Sequence, residues 1–284
     1  MARAGAPRAR RPVLGASSLS LLGLVFVVLA FVVPLVLIML RSFTEAPGGL
    51  HWYGTFLGSE GYLRVLGTTF EVAVLTTLAC LVLGLPFAWC MTIASPRLRT
   101  LLTIALMLPL WTSLLVRTYA WLVILSPKGL VNSMLMNIGL IGEPLKLVHN
   151  STGVLIGMTQ IMLPMMVLPM YAVMRSVDMR LVSAAQSLGA RPAVAFYTVY
   201  LPLVMPGIMV GAVIVFIVSL GFFVTPQILG NAQSTMLAQI IEQQFSKLLN
   251  WGLGSAMSTV LLVLTLVVLA VAAKTFGIGR LLRR

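Results

Sequence analysis

Long apolar runs separated by short polar connections dominate the sequence. A helix that crosses a membrane needs about 20 mostly apolar residues, and six stretches of the chain meet this requirement. These stretches are 17–40, 66–94, 100–125, 150–174, 205–225 and 255–276. The pattern predicts an all-α integral membrane protein whose six transmembrane helices form one domain over residues 17–276.

Prolines fall inside several of the predicted helices. An interior proline breaks a helix in water, but membrane helices tolerate it where neighbours satisfy the freed carbonyls. Kinks around a pathway and ordinary bends in a bundle are both compatible with these residues, which are Pro34, Pro86, Pro109, Pro164 and Pro169.

The composition excludes most soluble proteins. The chain has 284 residues, of which 60% are hydrophobic and 9% charged, whereas soluble domains carry about 25% charged residues. Disorder is excluded as well, because 17 Met, 12 Phe and long Leu, Val and Ile runs are more apolar surface than a solvated chain tolerates. We therefore expect a lipid bilayer around most of the chain.

The basic residues lie between the apolar runs. The net charge is +13, but the Lys and Arg residues form no patch or stripe of the kind that binds nucleic acid. The two tails and the connections after the second and fourth predicted helices carry 13 of them, and the opposite side carries 5. Because cytoplasmic connections are enriched in Lys and Arg, we expect the basic tails 1–16 and 277–284 to be cytoplasmic.

The first apolar run has a second interpretation as a cleavable signal, because Arg10 and Arg11 form a twin-arginine pair in front of it. The run from Leu19 to Leu40 is longer than the apolar core of a signal sequence, which has about 7–15 residues. Its removal would also leave five helices and spoil the charge pattern. A membrane helix is the preferred interpretation.

Catalytic and metal-binding chemistry finds little support in the sequence. Cys80 and Cys90 lie in one predicted helix, about 15 Å apart, which is beyond the reach of a disulfide. His51 and His149 lie in separate outer connections, so no metal-ligand spacing and no nucleophile–base pair is present. We expect no catalytic residue and no metal site, and an intramembrane hydrolase is disfavoured.

The longest cytoplasmic connection, over 175–206, has the features of an ordered segment. Asp178 is placed to cap a short helix that runs through Leu188, and Gly189 is placed to end it. Pro192 can open a second helix at its first turn. We predict two short helices around a glycine, with an amphipathic hairpin on the inner leaflet as the alternative.

The same segment carries a pattern that reads LGA, five residues, Phe, two residues, Val, one residue, Leu-Pro, three residues, Pro-Gly-Ile. This pattern resembles the EAA loop of permease subunits of bacterial ATP-binding-cassette (ABC) importers. The resemblance implies the six-helix type I (MetI-like) permease fold and a coupling helix that inserts into a groove on a separate ATPase. The family usually has Glu where this chain has Ser183, which leaves that contact open. The residues so assigned to ATPase coupling are Ser183, Ala184, Ala185, Leu188, Gly189, Ala190, Phe196, Pro202, Pro206 and Gly207.

The resemblance also implies partners. These are an ABC ATPase dimer, a second homologous permease subunit in a heterodimer or homodimer, and a periplasmic or lipid-anchored solute-binding protein. ATP and Mg would bind to the ATPase, because the chain has no G-x-x-x-x-G-K-[ST] phosphate-binding loop, so we expect neither a cofactor nor enzymatic activity here. A secondary transporter is the alternative. Ion coupling usually needs carboxylates or imidazoles within the membrane helices, and of the six acids only Glu71, near the outer start of the second predicted helix, comes close to this.

Two outer stretches contain residues suited to a solute pathway. The first stretch is 108–125. An uninterrupted helix from Thr100 would place Arg117 about 25 Å from its start, near the outer membrane boundary. Arg117 could have a functional role there, or its side chain could simply extend to the polar interface. Residues 226–254 are expected to form an outer amphipathic segment, because apolar residues recur at helical spacing. The candidate pathway residues are Trp111, Arg117, Tyr119, Trp121, Phe222, Phe223 and Glu242.

Both stretches resemble the spermidine/putrescine branch of the permease family, through W-x5-R-x-Y-A-W and GFFVTP, LGN, IIEQQF and WGLGSA. The resemblance implies polyamine uptake across the bacterial inner membrane by alternating access. Aromatic faces can hold ammonium groups, and Glu242 is the acid best placed to receive a cation, whereas Arg117 would repel one. Related permeases for aminoethylphosphonate, iron or opines share much of the pattern, so these solutes stay open as alternatives.

Overall fold

The computed structural model describes residues 16–275, and this part of the chain is helical without a β-strand. Short 3₁₀ turns cover Leu108–Trp111 and Ala232–Ser234, and a π-helix covers Phe196–Tyr200. The predicted basic tails 1–16 and 277–284 lie outside the described residues, apart from Ala16. The α-helices are α1 (Ala16–Thr44), α2 (His51–Leu57), α3 (Glu60–Ile93), α4 (Pro96–Met107), α5 (Leu114–Leu125), α6 (Leu130–Asn137), α7 (Ser151–Ser176), α8 (Arg180–Ser187), α9 (Pro192–Ala195), α10 (Leu201–Leu220), α11 (Val224–Leu229), α12 (Leu237–Ser246) and α13 (Trp251–Thr275).

Six helical stretches among the described residues are long and apolar enough to cross a membrane, as the sequence predicts. The stretches in α1, α3, α7 and α13 match the predicted ranges to within two helical turns. The fifth runs over Pro192–Leu220 rather than 205–225. It begins earlier because α9, the π-helix and α10 follow one another without a break, and it ends before Gly221.

The prediction of one helix over 100–125 is wrong. The chain forms α4, then a 3₁₀ turn, then α5, and Ser113 before α5 has non-helical backbone angles (φ −57°, ψ 136°). Pro109 lies in the 3₁₀ turn and lacks the amide hydrogen that a continuous helix would use. The stretch here that is long and apolar enough to cross a membrane is instead Leu114–Asn137.

Helix α7 lies at the centre of the bundle and packs between α3 and α10. Residues four apart lie on one face of a helix, and this face of α7 carries a buried methionine at every fourth position. Methionine is flexible enough to fill irregular gaps between helices, so the stripe forms the centre of the apolar core. Its members are Met158, Met162, Met166, Met170 and Met174.

Glycines let α3 and α10 approach this methionine stripe closely. A Cβ atom at Gly84 of α3 would lie 3.0 Å from Cε of Met170, and one at Gly211 of α10 would lie 2.8 Å from the carbonyl oxygen of Met166. Close backbone approach through small residues is how membrane helices gain van der Waals contact. The three central helices are therefore packed tightly along their shared faces.

The periphery of the bundle is apolar. Helix α1 packs against α13 and exposes large side chains such as Phe26, which is 72% exposed. Its C-terminal end is held by Arg41, whose guanidinium lies 4.7 Å from the ring centre of Trp251, and by Ser42, whose hydroxyl lies 2.7 Å from that of Tyr53. Contiguous apolar surface of this kind needs lipid or protein cover.

Side-chain hydrogen bonds hold α6 to the connections on either side of it and hold the start of α12 to α3. The buried side chain of Asn132 donates to the carbonyls of Ser126 and Leu145 and accepts the amide hydrogen of Leu145. The hydroxyl of Thr69 on α3 accepts the amide hydrogen of Leu237, at the start of α12, at 2.8 Å. Helix α12 is therefore tied directly to the bundle.

Candidate functional site

The candidate coupling segment, which we define as residues 178–200, has the helix–turn–helix form that the sequence predicts. Helix α8 begins next to Asp178, whose Oδ1 accepts the amide hydrogen of Arg180 at 2.9 Å. The N-cap residue is Met179, one position later than predicted. The side chain of Asp178 nevertheless satisfies one of the amide groups that every helix start leaves without a partner.

Leu188 and Gly189 form the tip between α8 and α9. Gly189 has a φ of +94°, a left-handed conformation that favours glycine, and a Cβ atom there would meet nothing within 4 Å. Leu188 is apolar and yet 89% exposed. Pro192 opens α9 at its first position, as predicted. An exposed leucine on an ordered, open turn is suited to insertion into the cleft of a partner.

The two sides of α8 differ in their surroundings. Val182 packs against the large apolar core, whereas Ser183 and Ala184 are exposed and Ala185 is half-buried. The hydroxyl of Ser183 donates to the carbonyl of Met179 at 3.3 Å, so its hydrogen is used within the helix. One side of α8 is thus anchored to the bundle and the other is open.

The other residues predicted to couple lie at or beyond the turn, and some of them pack on the bundle. Gly207 is buried, and a Cβ atom there would lie 2.8 Å from Cβ of Val173 on α7. Phe196 is half-buried against the core. The structure therefore places only part of the predicted set at the free surface. Of these five remaining residues, Pro202 and Pro206 are exposed, Ala190 and Phe196 are half-buried, and Gly207 is buried.

Aromatic contacts join the π-helix to α3, and the sequence reasoning missed them. The ring centre of Phe196 lies 5.9 Å from that of Trp89 and 5.4 Å from that of Tyr200. The aromatic run FYTVY in the π-helix was an available signal, but no local rule pairs it with Trp89. Packing of α3 against the candidate coupling segment brings these rings together.

A cavity of about 440 Å³ lies beside Glu242, between α10, α12 and α13, and we name it the Glu242 cavity. The carboxylate of Glu242 is half-buried and makes no hydrogen bond or ion pair with any described residue. Phe223, 37% exposed, lies at the same cavity. The hydroxyl-bearing side chains of Ser258 and Thr265 also line it. The apolar part of the wall includes Ile217, Ala238, Ile241, Leu261 and Leu262.

Two further aromatic candidates lie elsewhere in the bundle. Phe222 and Trp121 each pack against the buried cluster that contains Met158. The indole nitrogen of Trp121 donates to the side-chain oxygen of Gln160 at 3.3 Å. Gln160 is a polar residue within an apolar helix, a signal that the sequence reasoning did not use. This polar pair joins α5 to α7.

Arg117 lies one turn into α5, and the bundle leaves its guanidinium without complete hydrogen bonding. Its Nε and Nη1 atoms are buried and have no partner among the described residues. The prediction of a position about 25 Å along an unbroken helix is wrong, because the chain breaks between α4 and α5. The hydroxyl of the adjacent Thr118 lies 3.3 Å from that of Thr225 on α11. Buried guanidinium nitrogens without a partner favour a nearby anionic group.

Trp111 and Tyr119 lie neither at the Glu242 cavity nor in the cluster against which Trp121 and Phe222 pack. Trp111 is 89% exposed on the 3₁₀ turn and borders a separate groove with Thr103 and Met107. Tyr119 on α5 is 55% exposed. Of the seven predicted pathway residues, Phe223 and Glu242 line the same cavity.

Within residues 16–275, no group of three or more His, Cys, Asp or Glu side chains is arranged to hold a metal ion. Cys80 is buried, Cys90 is exposed, and both are free thiols.

The side chains that line the Glu242 cavity are suited to binding a solute through charge, aromatic ring faces and apolar contact.

Comparisons with known sequences point to one family. Residues 15–281 match the family described as binding-protein-dependent transport system inner membrane component. The chain is 36% identical over 203 residues to the spermidine/putrescine transport system permease protein PotB of Haemophilus influenzae, covering 72% of this chain and 71% of that protein. It is also 36% identical over 200 residues to PotB of Escherichia coli, covering 70% and 73%. The molybdenum transport system permease protein ModB of Mycobacterium bovis is 29% identical over 207 residues, covering 72% and 76%.

Solved structures share the fold. A bacterial ABC transporter involved in the import of the acidic polysaccharide alginate matches with a TM-score of 0.73 at 18% identity, covering 92% of this chain and 94% of that chain. The alginate transporter in complex with an alginate pentasaccharide-bound periplasmic protein matches with a TM-score of 0.72 at 18% identity, covering 91% and 92%. The importer permease fold with six membrane helices is thereby confirmed.

The same comparisons decide the class of protein. The relatives are permease subunits of ABC importers rather than enzymes, and the family is one of the inner membrane. Together with the six apolar helical stretches, this makes the chain a multi-pass inner-membrane permease for a small solute, as the sequence resemblance implies. The chain therefore belongs to the binding-protein-dependent family of inner membrane permease subunits of ABC importers.

Proposed function

We propose that the chain is one permease half of an ATP-driven importer for a small polyamine such as spermidine or putrescine. The Glu242 cavity carries this proposal, because it offers an unpaired carboxylate to a cation within a mostly apolar wall. The 36% identity to the two PotB proteins supports it. Alternating access of the cavity to the two sides of the membrane would move the solute.

The chemistry of the Glu242 cavity suits a polyamine. An ammonium group would donate charge-assisted hydrogen bonds to the carboxylate, and the ring face of Phe223 offers a cation–π contact. The hydroxyls of Ser258 and Thr265 donate to carbonyls of their own helix, so their oxygens can still accept a hydrogen bond. The apolar wall would contact the methylene groups between the nitrogens.

We also propose that the candidate coupling segment docks on an ABC ATPase dimer, which binds ATP and Mg. Leu188 would fill an apolar pocket, and the exposed Arg180 and Arg191 would face acidic groups of the ATPase. Because Ser183 replaces the family Glu, docking would depend on these side chains rather than on an acid. An ordered turn can transmit a displacement that a flexible loop would absorb.

A second homologous permease subunit and a periplasmic or lipid-anchored solute-binding protein would complete the assembly. The exposed apolar face of α5, which includes Val116 and Val123, offers a surface for the second permease or for lipid. The charge asymmetry supports cytoplasmic tails at 1–16 and 277–284, on the side of the candidate coupling segment.

One observation favours a different class of solute. The buried, unpartnered Nε and Nη1 atoms of Arg117 favour an anionic group, such as the carboxylate of an opine or the phosphonate of aminoethylphosphonate. Such a solute would bind at Arg117, which does not line the Glu242 cavity. If the solute is a polyamine, Arg117 would instead pair with a carboxylate of another subunit.

Uptake by the assembled transporter tests the proposed solute. Glu242→Gln keeps the side-chain shape and removes the charge, so we expect spermidine uptake at sub-saturating concentration to fall by about tenfold, equivalent to about 1.4 kcal/mol. Glu143→Gln removes an exposed acid between α6 and α7 and serves as the matched control, with uptake like that of the wild type.

Competition against labelled spermidine separates the solute classes. Excess putrescine should compete for uptake, whereas aminoethylphosphonate and an opine should not. Unchanged uptake by the Glu242→Gln variant, or competition by an anionic solute and not by putrescine, would contradict the polyamine proposal.

A further inference from the structure

One arginine holds the junction between α3 and α4. Arg99 of α4 donates from Nε to the carbonyl of Met91 at 3.1 Å, and from Nη2 to the carbonyls of Thr92 at 3.4 Å and Ala94 at 3.2 Å. The last carbonyls of a helix have no partner within it, and a cation at this end is favoured by the helix dipole. The guanidinium therefore ties the end of α3 to α4.

The same end of α3 touches the candidate coupling segment. The rings of Trp89 and Phe196 lie 5.9 Å apart, and Phe196 stacks on Tyr200 with 28° between the ring planes. Tyr200 is 3% exposed, and the hydroxyl of Thr92 donates to the carbonyl of Trp89 at 2.7 Å. Thr92 thus contacts Trp89 through its hydroxyl and Arg99 through its carbonyl.

Buried packing makes this connection continuous. Met91, Tyr200 and Leu106 of α4 belong to one buried apolar cluster. Phe196 and Tyr200, whose rings pack at the end of α3, belong to the π-helix. Short π-helical turns within longer helices are frequent at functional sites. The candidate coupling segment is therefore connected to the end of α3 by close-packed side chains, which would transmit a displacement.

We propose that Arg99 is a positioning residue that carries the movement of the candidate coupling segment from α3 to α4. The backbone between these helices consists of Ala94 and Ser95, with ψ angles of 147° and 156°, and such a link alone would bend. With the guanidinium in place, the end of α3 and α4 move as one body, and the displacement reaches the 3₁₀ turn and α5. This inference rests on the proposed docking of an ATPase.

Arg97 supplies a matched control. It lies on the same helix two positions before Arg99, is exposed, and its side chain makes no hydrogen bond or ion pair with any described residue. Removal of either arginine changes the net charge of the same connection by the same amount. An effect on topology or on general electrostatics would therefore appear in both variants.

The first test compares solute uptake with ATP hydrolysis in proteoliposomes that contain both permease subunits, the ATPase and the binding protein. Arg99→Gln should keep stimulated ATPase activity within about twofold and lower uptake per ATP by about tenfold. Arg99→Lys should restore part of the ratio, because its ammonium has three donors, and Arg97→Gln should match the wild type. Equal ratios in the Arg99→Gln and Arg97→Gln variants would overturn the proposal.

A distance measurement separates positioning from misfolding. Spin labels at Arg97→Cys and Ser187→Cys, in a Cys90→Ala chain whose remaining Cys80 is buried, report the spacing of α4 and α8. With Arg99 present, this distance should stay the same between nucleotide-free and ATP-trapped states. In the Arg99→Gln chain it should change between them. The same behaviour of both chains, whether constant or changing, would overturn the proposal.

Failure of the proposed function gives a different result. If the wild-type assembly shows no ATP-driven uptake, the labelled permease without ATPase still reports whether Arg99 fixes α4. A broader distance distribution in the Arg99→Gln variant would then support the tie between α3 and α4, and an unchanged distribution would overturn it.

Discussion

Gly189 adopts a backbone conformation on which the candidate coupling segment depends. Its φ of +94° lies in the region that L-residues with side chains rarely adopt, and the space around it is open. A substitution would therefore meet backbone strain rather than a steric clash. The turn between α8 and α9 would have to change its shape, because the exposed tip has no packing that would hold it.

Gly189→Val is expected to uncouple transport from ATP hydrolysis. The left-handed conformation costs a residue with a side chain about 1–2 kcal/mol, which the exposed turn can relieve by changing its angle. We expect normal insertion and assembly, with uptake per ATP lowered by about tenfold. Gly139→Val is the control, since Gly139 has a φ of +72° in an equally open place between α6 and α7. A wild-type ratio in the Gly189→Val variant would contradict a coupling role for this turn.

Residue roles that follow from local rules were predictable from the sequence. The positive φ of Gly189 and the position of Pro192 at the start of α9 agree with the preferences of these two residues. The contacts of Trp89 and Arg99 were not predictable. Trp89 meets a ring more than a hundred positions away in the chain, and Arg99 finds carbonyls that exist only because α3 ends where it does.

At the scale of elements, apolar run length predicts helices but not where they break. Only one of the five prolines noted in the apolar runs coincides with a break, because neighbouring helices support the chain at the others. Pro109 lies in the 3₁₀ turn between α4 and α5. The π-helix has no sequence signature that separates it from α9 and α10. The prolines inside continuous helices are Pro34, Pro86, Pro164 and Pro169.

Helix packing against the methionine stripe gives a prediction for α3. Gly84→Leu should destabilise the bundle by about 1–3 kcal/mol, because a Cβ there would lie 3.0 Å from Cε of Met170 and 3.2 Å from Cγ of Met166. The midpoint of thermal unfolding in detergent should fall. Gly67→Leu, at an exposed position of the same helix with nothing within 4 Å, should leave the midpoint near that of the wild type. Equal midpoints for both variants would contradict the packing of α3 on α7.

The whole molecule separates its two candidate sites. The candidate coupling segment precedes α10 and the Glu242 cavity lies beyond it, and a 20-residue helix spans about 30 Å. The two candidate sites therefore lie toward opposite ends of the bundle, and the tightly packed helices α3, α7 and α10 lie between them. These central helices form the best buried part of the described structure, as the transmission of displacement requires.

The charge and apolar patterns predict this architecture at the scale of the whole chain. Six apolar runs and the uneven distribution of Lys and Arg are sufficient to predict a six-helix membrane protein. The location of a solute site is less predictable, because the seven candidate pathway residues fall in separate places once the helices pack. Only the packing of α10, α12 and α13 brings Phe223 and Glu242 to one cavity.

Solute uptake into proteoliposomes with and without the ATPase tests whether the chain is a permease subunit driven by ATP. The chain has no phosphate-binding loop of its own, and we propose that a partner ATPase powers the movement of the solute. We predict uptake of labelled spermidine only when both permease subunits, the binding protein, the ATPase and hydrolysable ATP are present. Uptake of the same size with the ATPase omitted would contradict the account and identify the chain as a transporter that works without it.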